Sequence, residues 1–392
     1  MPLLLGPILA QVFTLTAQDA TSVRARKYGD DLFYDADTRP SLELRLDSPR
    51  TSWSIDYGPT LTLDALGPDA ELVILHVGSA SASIRWRHHF LTLSQQGGYG
   101  KQNFLAAPLE SKAGLTDPNS PPLPTAVPEG QSLQLNEVIH YGFSTSSLSL
   151  SHLLTRRLVL SELVGFDTSS GFDDLARTVY PLQREGLGSL TFGYALTRRD
   201  TLFTQGQGRY VVTGSVHALV VGANERWAKQ WARGVSTELG VGATYSDTKD
   251  SSDPTREQER KLRPVANVAL DLKRGRPQRR DSLDVNCALT TDVDRTTGLV
   301  DQRVVWGLTS EHTLRRATFS LSTSGSQSVE RNTDAALTSI TGGVSAEYAF
   351  TNELSGSIAF SSTWQDFAGL GNLPLFWTGG LGVSYAIEPV RF

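Results

Sequence analysis

The clearest indication of the fold lies near the C-terminal end of the chain, where residues 340–361 read ITGGVSAEYAFTNELSGSIAFS. Two segments in which apolar and small polar residues alternate flank the short polar turn at residues 351–353. A period of two residues places successive side chains on opposite faces of a β-strand. The stretch therefore predicts a β-hairpin with one polar and one apolar face. The apolar face comprises Ile340, Val344, Ala346, Tyr348 and Phe350 before the turn and Leu354, Ile358 and Phe360 after it.

The same hairpin pattern recurs along the chain with a period of roughly forty residues. Its segments are about ten to fourteen residues long, which exceeds a typical globular strand and suits a tilted strand that crosses a bilayer. The repeat therefore predicts long strands joined in hairpins. The short turns are 47–50, 88–89, 154–157, 196–199, 229–233, 274–280, 313–316 and 351–353.

Longer polar connections separate the hairpins, and their charge differs from that of the turns. The short turns are mostly basic, whereas Asp and Glu are concentrated in the longer connections. Short turns on one side and long loops on the other are typical of outer-membrane barrels. The longer connections are 66–78, 101–137, 167–185, 247–259, 292–301 and 330–336.

Two other β-architectures share part of this pattern. A β-propeller also repeats about every forty residues, but its blades hold four short strands. A soluble β-protein shows the same alternation but fills its interior with large apolar residues. Here the polar face consists of Ser, Thr, Gly, Gln and single charges, which favours a hydrated lumen and an apolar face toward lipid.

The pattern resembles the bacterial outer-membrane β-barrel class at porin-like size, from Val12 onward. In that class the chain usually ends in Phe after alternating apolar residues, and this chain ends in Phe392 after Leu381, Val383, Tyr385 and Ile387. Glu388 and Pro389 interrupt the alternation before this C-terminal assembly signal. The resemblance implies an outer-membrane location with the lipid bilayer, lipopolysaccharide and the assembly machinery as partners.

The fold class predicted is an all-β, closed, antiparallel up-and-down barrel of about eighteen strands, with sixteen as the alternative. An even number follows if both termini are periplasmic. The strands are expected near 12–24, 39–47, 51–64, 79–88, 90–100, 138–153, 157–168, 185–196, 200–213, 214–227, 234–247, 261–273, 281–291, 302–312, 317–328, 338–350, 354–366 and 376–390.

Composition agrees with one large closed sheet. The chain has 392 residues, a net charge of -5 and 39% hydrophobic residues, and past its N-terminus no apolar run is long enough for a membrane helix. Residues 1–10 resemble a secretory signal that lacks the usual basic region. The predicted organisation is therefore a signal segment at 1–10 and a single barrel domain at 11–392.

The sequence contains few candidates for chemistry. Cys287 is the only cysteine, so an intrachain disulfide and a four-cysteine zinc site are excluded. No Gly-x-Ser-x-Gly motif occurs, and the small negative charge gives no reason to expect nucleic acid. We therefore expect no catalytic residues, cofactor or metal, and the chain does not read as an enzyme.

Charges on the polar face are the remaining candidate site residues. Inside a wide barrel such charges set the selectivity of a pore, or they pair across the wall and hydrate the lumen. Their mixed signs predict neither anion nor cation preference. The candidates are Arg85, Arg87, Arg209, Glu238, Asp271, Asp284, Arg303, Glu311 and Glu347.

Residues 101–137 form the longest irregular stretch and contain six prolines, so they cannot form a membrane strand. This loop is expected to fold inward as a constriction or to project from the surface. Barrel size favours a passive, porin-like channel for small solutes. A non-conducting barrel whose loops bind a partner, and a soluble extracellular β-protein, are the alternatives. The oligomeric state stays open.

Overall fold

The chain forms one closed β-sheet of eighteen strands. The computed structural model describes residues 12–28, 31–64, 71–103, 138–179, 181–252, 258–276, 279–293, 298–330, 337–367, 371–372, 375–387 and 389–391. The predicted signal segment at 1–10, most of the loop at 101–137 and Phe392 lie outside these residues.

The strands follow one another around the barrel in chain order. They are β1 (Val12–Tyr28), β2 (Asp31–Thr38 and Ser41–Asp47), β3 (Thr51–Tyr57 and Thr60–Asp64), β4 (Glu71–Arg85), β5 (His89–Asn103), β6 (Val138–Leu153), β7 (Leu158–Gly171), β8 (Gln183–Ala195), β9 (Asp200–Thr213), β10 (Val216–Ala232), β11 (Val235–Asp250), β12 (Glu259–Arg276), β13 (Arg279–Val293), β14 (Val300–Leu314), β15 (Ala317–Ser328), β16 (Leu337–Ala349), β17 (Leu354–Phe367) and β18 (Phe376–Ala386, flanked by Gly371–Asn372 and Val390–Arg391).

The first strand closes the barrel. β1 pairs antiparallel with β2 on one side and with β18 on the other, where Arg24 lies opposite Gly380 and Ser22 opposite Gly382. Every other strand pairs antiparallel with its neighbours in the chain. The predicted closed antiparallel barrel of eighteen strands is therefore confirmed, including its first strand.

Two strands are interrupted where the sequence places proline. β2 breaks at Arg39 and Pro40, and β3 breaks at Gly58 and Pro59. Proline has no backbone N–H to donate to a sheet ladder, so a break of one or two residues follows. The pairing resumes in the same register on both sides of each break.

Some strands are longer than predicted. β2 begins at Asp31 and β4 at Glu71, eight residues earlier than expected in each case. Barrel strands continue beyond the bilayer, where both faces can be polar and the alternation fades. The predicted loop at 167–185 also contains a short helix, α1 (Asp174–Val179). Asp173 caps this helix by accepting a hydrogen bond from the Ala176 amide, which lowers the pKa of its carboxyl group.

Three of the short turns share the same hydrogen-bond pattern around a threonine. The hydroxyl oxygens of Thr155, Thr197 and Thr351 each accept hydrogen bonds from the backbone amides two and three residues later. A threonine at this place stabilises a tight turn locally, without help from the rest of the fold. The repeated turn signal in the sequence therefore reflects a repeated hydrogen-bond pattern.

The two faces of the wall have the predicted character. Large apolar side chains such as Val164, Val241 and Leu381 are exposed on the outer face, where they alternate with inward-facing residues. Among the described residues, no helix has the length and hydropathy of a membrane-spanning helix. A continuous apolar outer surface on a closed barrel is suited to contact with lipid.

One hairpin departs from this regular wall. β12 and β13 pair only as far as Ala266 and Leu289, although both strands continue beyond that point. β13 and β14 remain paired as far as Val293, which lies opposite Val300. The end of the β13–β14 hairpin therefore separates from β12.

Candidate functional site

The end of the β13–β14 hairpin folds into the lumen. We call its described residues, 290–293 and 298–302, the strap. Val293 and Val300 of the strap form a buried apolar cluster with Val211, Ala218 and Val220. Those three residues lie on the inner faces of β9 and β10, because they alternate with the exposed outer residues Tyr210, Leu219 and Val221. An apolar cluster inside an otherwise polar lumen shows that the strap is packed against the inner wall.

A charged contact ties the strap to β8 and β9. The Arg209 guanidinium lies 2.6 Å from Asp292 of the strap and 2.5 Å from Glu185 of β8. A hydroxyl contact of 2.6 Å also joins Thr291 to Thr244 of β11. These contacts connect strands that are not neighbours in the wall, so they cross part of the lumen.

The strap leaves a gap in the wall beside β12. The ion pair between Arg263 and Glu330, which we call the clamp, spans this gap. The Nε and Nη2 atoms of Arg263 on β12 lie 2.7 and 3.0 Å from the carboxylate of Glu330, just beyond β15. The same guanidinium reaches the Val300 carbonyl at 3.4 Å. Gln302 donates a hydrogen bond of 2.6 Å to the Pro264 carbonyl. Arg263 therefore links β12 to Glu330 beyond β15 and also contacts Val300 of the strap.

The hydrogen bonds from Arg263 keep the pKa of Glu330 below the usual glutamate value. The stabilisation from this depressed pKa is present above the unfolded-state pKa and is lost as pH falls through the folded-state pKa. We expect the unfolding temperature of the wild type to exceed that of Glu330→Gln at pH 7. The difference should shrink below about pH 4.3, the ordinary glutamate pKa. Thermal unfolding in detergent across this range measures it, and a difference that does not change with pH would contradict the clamp.

On the opposite side of the barrel, β1 and β2 carry a charged network. Asp35 accepts contacts from Arg24 at 2.8 Å and from Arg26 at 2.5 Å, and Arg24 also lies 2.9 Å from Asp37. Arg39 lies 3.1 Å from Asp37. The Asp35 side chain is fully buried, so its charge requires these two guanidinium partners.

This network forms one edge of an open trough on the inner wall, with a volume of about 390 Å³, which Arg24, Arg26, Asp37 and Arg39 help to line. The rest of its inward-facing lining comes from β15 to β18 and β1 and is mainly serine and glycine. Gly380 makes room for the neighbouring arginine, because a Cβ atom there would lie 2.9 Å from Cγ of Arg24. The inward serines are Ser22, Ser320, Ser322, Ser345, Ser357, Ser361 and Ser384. In the strand order, this trough lies across the lumen from the strap on β9 and β10.

The charged residues predicted to face the lumen differ in the contacts that they make. Arg209 joins the strap contact, Glu238 lies 3.2 Å from Arg226, and Arg303 lies 3.0 Å from Asp301. Asp271 lies 2.6 Å from Lys273 and opposite Asp284 in the β12–β13 register. Glu311 and Glu347 accept hydrogen bonds from Thr313 and Ser355. Arg85 ends β4, and Arg87 lies in the following turn rather than on a strand.

Sequence reasoning did not identify the strap or the β1–β2 network as sites. The network had a readable signal, since Arg24-Ala25-Arg26 and Asp35-Ala36-Asp37 flank one hairpin loop with opposite charges at matching parity. The strap had no such signal in the sequence, because the residues around Val293 and Val300 alternate as they do in any other strand of the wall. The candidate constriction at 101–137 lies outside the described residues beyond Asn103.

A sequence profile of the EpsX exopolysaccharide export family matches residues 17–388. The chain belongs to this family. No curated protein sequence matches it. Within the described part of the chain, no three or more His, Cys, Asp and Glu side chains gather as a metal site.

Several solved structures are similar to this EpsX-family chain at low sequence identity. OpdK of Pseudomonas aeruginosa, solved with vanillate, is 10% identical over 97% of this chain and 99% of that chain, with a TM-score of 0.50. OccAB3 of Acinetobacter baumannii is 10% identical over 98% and 100%, with a TM-score of 0.47. OccK5 of P. aeruginosa is 13% identical over 96% and 98%, with a TM-score of 0.46.

The fold and the apolar outer surface together establish the cellular location of this family member. A closed barrel of eighteen strands with an apolar band and long loops at one end is the architecture of bacterial outer-membrane proteins. The chain is an outer-membrane β-barrel of porin-like fold, in contact with the lipid bilayer and lipopolysaccharide. The prediction of class and location from sequence is thereby confirmed.

Proposed function

We propose that this barrel is a porin-like channel for small solutes, and that saccharides are the solutes it conducts. The observation that carries the proposal is the trough on β15 to β18 and β1, where serine hydroxyls and glycine backbone line an open surface across the lumen from the strap. Hydroxyl groups exchange hydrogen bonds readily with sugar hydroxyls, and glycine leaves room for a bulky ring. The family's description as exopolysaccharide export agrees with this substrate class.

The charges of the lumen support a neutral or weakly charged substrate. Six inward arginines each have a carboxylate within hydrogen-bonding or ion-pair distance, so the opposite charges of each pair largely cancel at a distance. A channel of this kind has little preference between anions and cations. The six pairs are Arg24–Asp37, Arg26–Asp35, Arg209–Glu185, Arg226–Glu238, Arg263–Glu330 and Arg303–Asp301.

The proposal predicts weakly selective conductance that neutral sugars reduce. The purified barrel in a planar bilayer should give ohmic channels with a reversal potential near zero in a salt gradient. Neutral gluco-oligosaccharides should lower the current reversibly by occupying the trough, and a small polyol such as glycerol serves as the control. A folded barrel that conducts no current would sink the channel proposal and favour the alternative in which the loops bind a partner.

The proposal also concerns catalysis and the assembly of the barrel in the membrane. We assign no catalytic role to the chain, since its lumen charges serve pairing and hydration. Recognition by the outer-membrane assembly machinery is proposed for the C-terminal segment that ends in Phe392. Strand β18, which carries Leu381, Val383 and Tyr385 on the lipid-facing side, supplies the alternating apolar residues of that signal.

A further inference from the structure

The outer face of β8 to β11 carries a basic row at the end of the barrel with the longer loops. Arg184, Val212, His217 and Lys249 lie opposite one another in register on four consecutive strands. All four share the outward parity of Tyr210, Leu219 and Tyr245, which are exposed. The row therefore faces the membrane boundary and not the lumen.

The two ends of this row are exposed cations. No described side chain pairs with Arg184 or Lys249, whereas His217 is held by a 2.8 Å hydrogen bond with the Tyr210 hydroxyl group. Asp247, which shares the outward parity of Lys249 two residues along the same strand, is compensated by Arg260 at 3.4 Å and by a hydrogen bond from Gln258. Three strand spacings separate Arg184 from Lys249, which amounts to about 14 Å. The patch has a net positive charge with two separated binding points.

Directly beneath the row, the outer wall has a floor of glycine. Gly188 lies opposite Gly208, while Gly186 and Gly206 lie opposite Tyr210 and Leu190. A Cβ atom at any of these four glycines would meet no atom within 4 Å, so the wall there is a shallow depression. Glycine weakens a strand interior, and none of these four is required by local crowding. The depression is bounded by apolar side chains that include Leu190, Tyr210 and Val221.

We propose that this surface, comprising the row Arg184 to Lys249 and the glycine floor below it, binds one lipopolysaccharide molecule of the outer leaflet. The two phosphates of its acylated disaccharide would pair with Arg184 and Lys249. An acyl chain would lie on the glycine floor, where a flat wall allows close contact. This site is on the outside of the barrel, and the inference rests on the outer-membrane location and not on the saccharide-channel proposal.

The test uses the full-length barrel, stripped of lipid in mild detergent and titrated with diphosphoryl lipid A. Native mass spectrometry counts the bound lipid. We expect one tightly bound lipid A per wild-type barrel. The double variant Arg184→Gln/Lys249→Gln should weaken binding about thirtyfold, since each cation near an anionic lipid surface contributes roughly one kcal/mol. Gly208→Leu should also weaken binding, because its side chain fills the depression without changing charge.

The matched control is Lys229→Gln, which removes an outward cation from the same strand as His217 but near the short-turn end. It should bind lipid A as the wild type does. Heat-modifiable mobility on a gel checks that each variant is folded. Unchanged binding by the folded double variant would overturn the proposal. Equal affinity for phosphatidylglycerol, or a protein dimer that excludes lipid A, would overturn it as well. Channel conductance reports separately on the lumen.

Discussion

Gly298→Leu is expected to release the strap from the inner wall and to raise the single-channel conductance. Gly298 has a φ of 71°, in the left-handed region that costs a residue with a side chain about 1–2 kcal/mol. A Cβ atom there would also lie 2.8 Å from Cβ of Val216 and 3.3 Å from Cβ of Thr213. The strap must therefore move away from β9 and β10 to accommodate leucine.

That movement removes the packing that holds the strap. Val293 and Val300 are almost fully buried, and burial of each contributes roughly 1.5–3 kcal/mol. Once the strap is displaced, this contribution is lost together with the Arg209–Asp292 contact. The lumen on the β9–β10 side then widens. Planar-bilayer recordings should show a larger unit conductance and passage of larger neutral polymers.

Gly214→Ala is the matched control for backbone strain. Gly214 also has a positive φ, of 56°, but no atom lies within 4 Å of its would-be Cβ. This variant should lose some stability and keep the wild-type conductance. If folded Gly298→Leu also keeps the wild-type conductance, the strap does not limit passage through the lumen.

Ser345→Trp is expected to abolish saccharide passage while the barrel stays folded. Ser345 faces the trough and belongs to a register row that runs from Ser320 through Ser345, Ala359 and Gly380 to Arg24. A tryptophan there would fill the path that the serines and glycines leave open. The strap occupies the opposite wall of the lumen, against β9 and β10.

The neighbouring residue supplies the control. Ala346 lies one position later on the same strand and shares the outward parity of the exposed Val344, so Ala346→Trp adds a similar volume outside the barrel. It should leave conductance and sugar-dependent current reduction unchanged. Liposome swelling with neutral oligosaccharides measures passage directly. Equal swelling rates for folded Ser345→Trp and wild type would show that saccharides do not use the trough.

Most of the wall was predictable from local patterns. Alternation around residues such as Val344 and Ser345 assigned each side chain to a face, because a strand turns by half a circle per residue. The threonines at 155, 197 and 351 marked turns that stabilise themselves. Proline at 40 and 59 marked the interruptions in β2 and β3. Each of these signals acts within a few residues, so the sequence contains it whole.

The charged pairs were only partly predictable. Arg209, Glu238 and Arg303 were placed on the polar face from parity alone. Their partners depend on register between strands and, for Arg209, on a contact with a residue eighty-three positions later. The opposed pairs on β1 and β2 were accessible in principle, since one hairpin loop brings Arg24 and Asp35 into register.

The sequence by itself determined a closed, porin-sized barrel with a hydrated interior, because strand alternation and turn chemistry are local properties. Only the tertiary structure decided where the lumen is narrowed. The β13–β14 hairpin has the same alternation as the others, and whether its end stays in the wall depends on competing surfaces. Packing of Val293 and Val300 against β9 and β10, with Arg263 and Glu330 spanning the gap, favours the inward position. That balance involves strands distant in sequence, so no local pattern contains it.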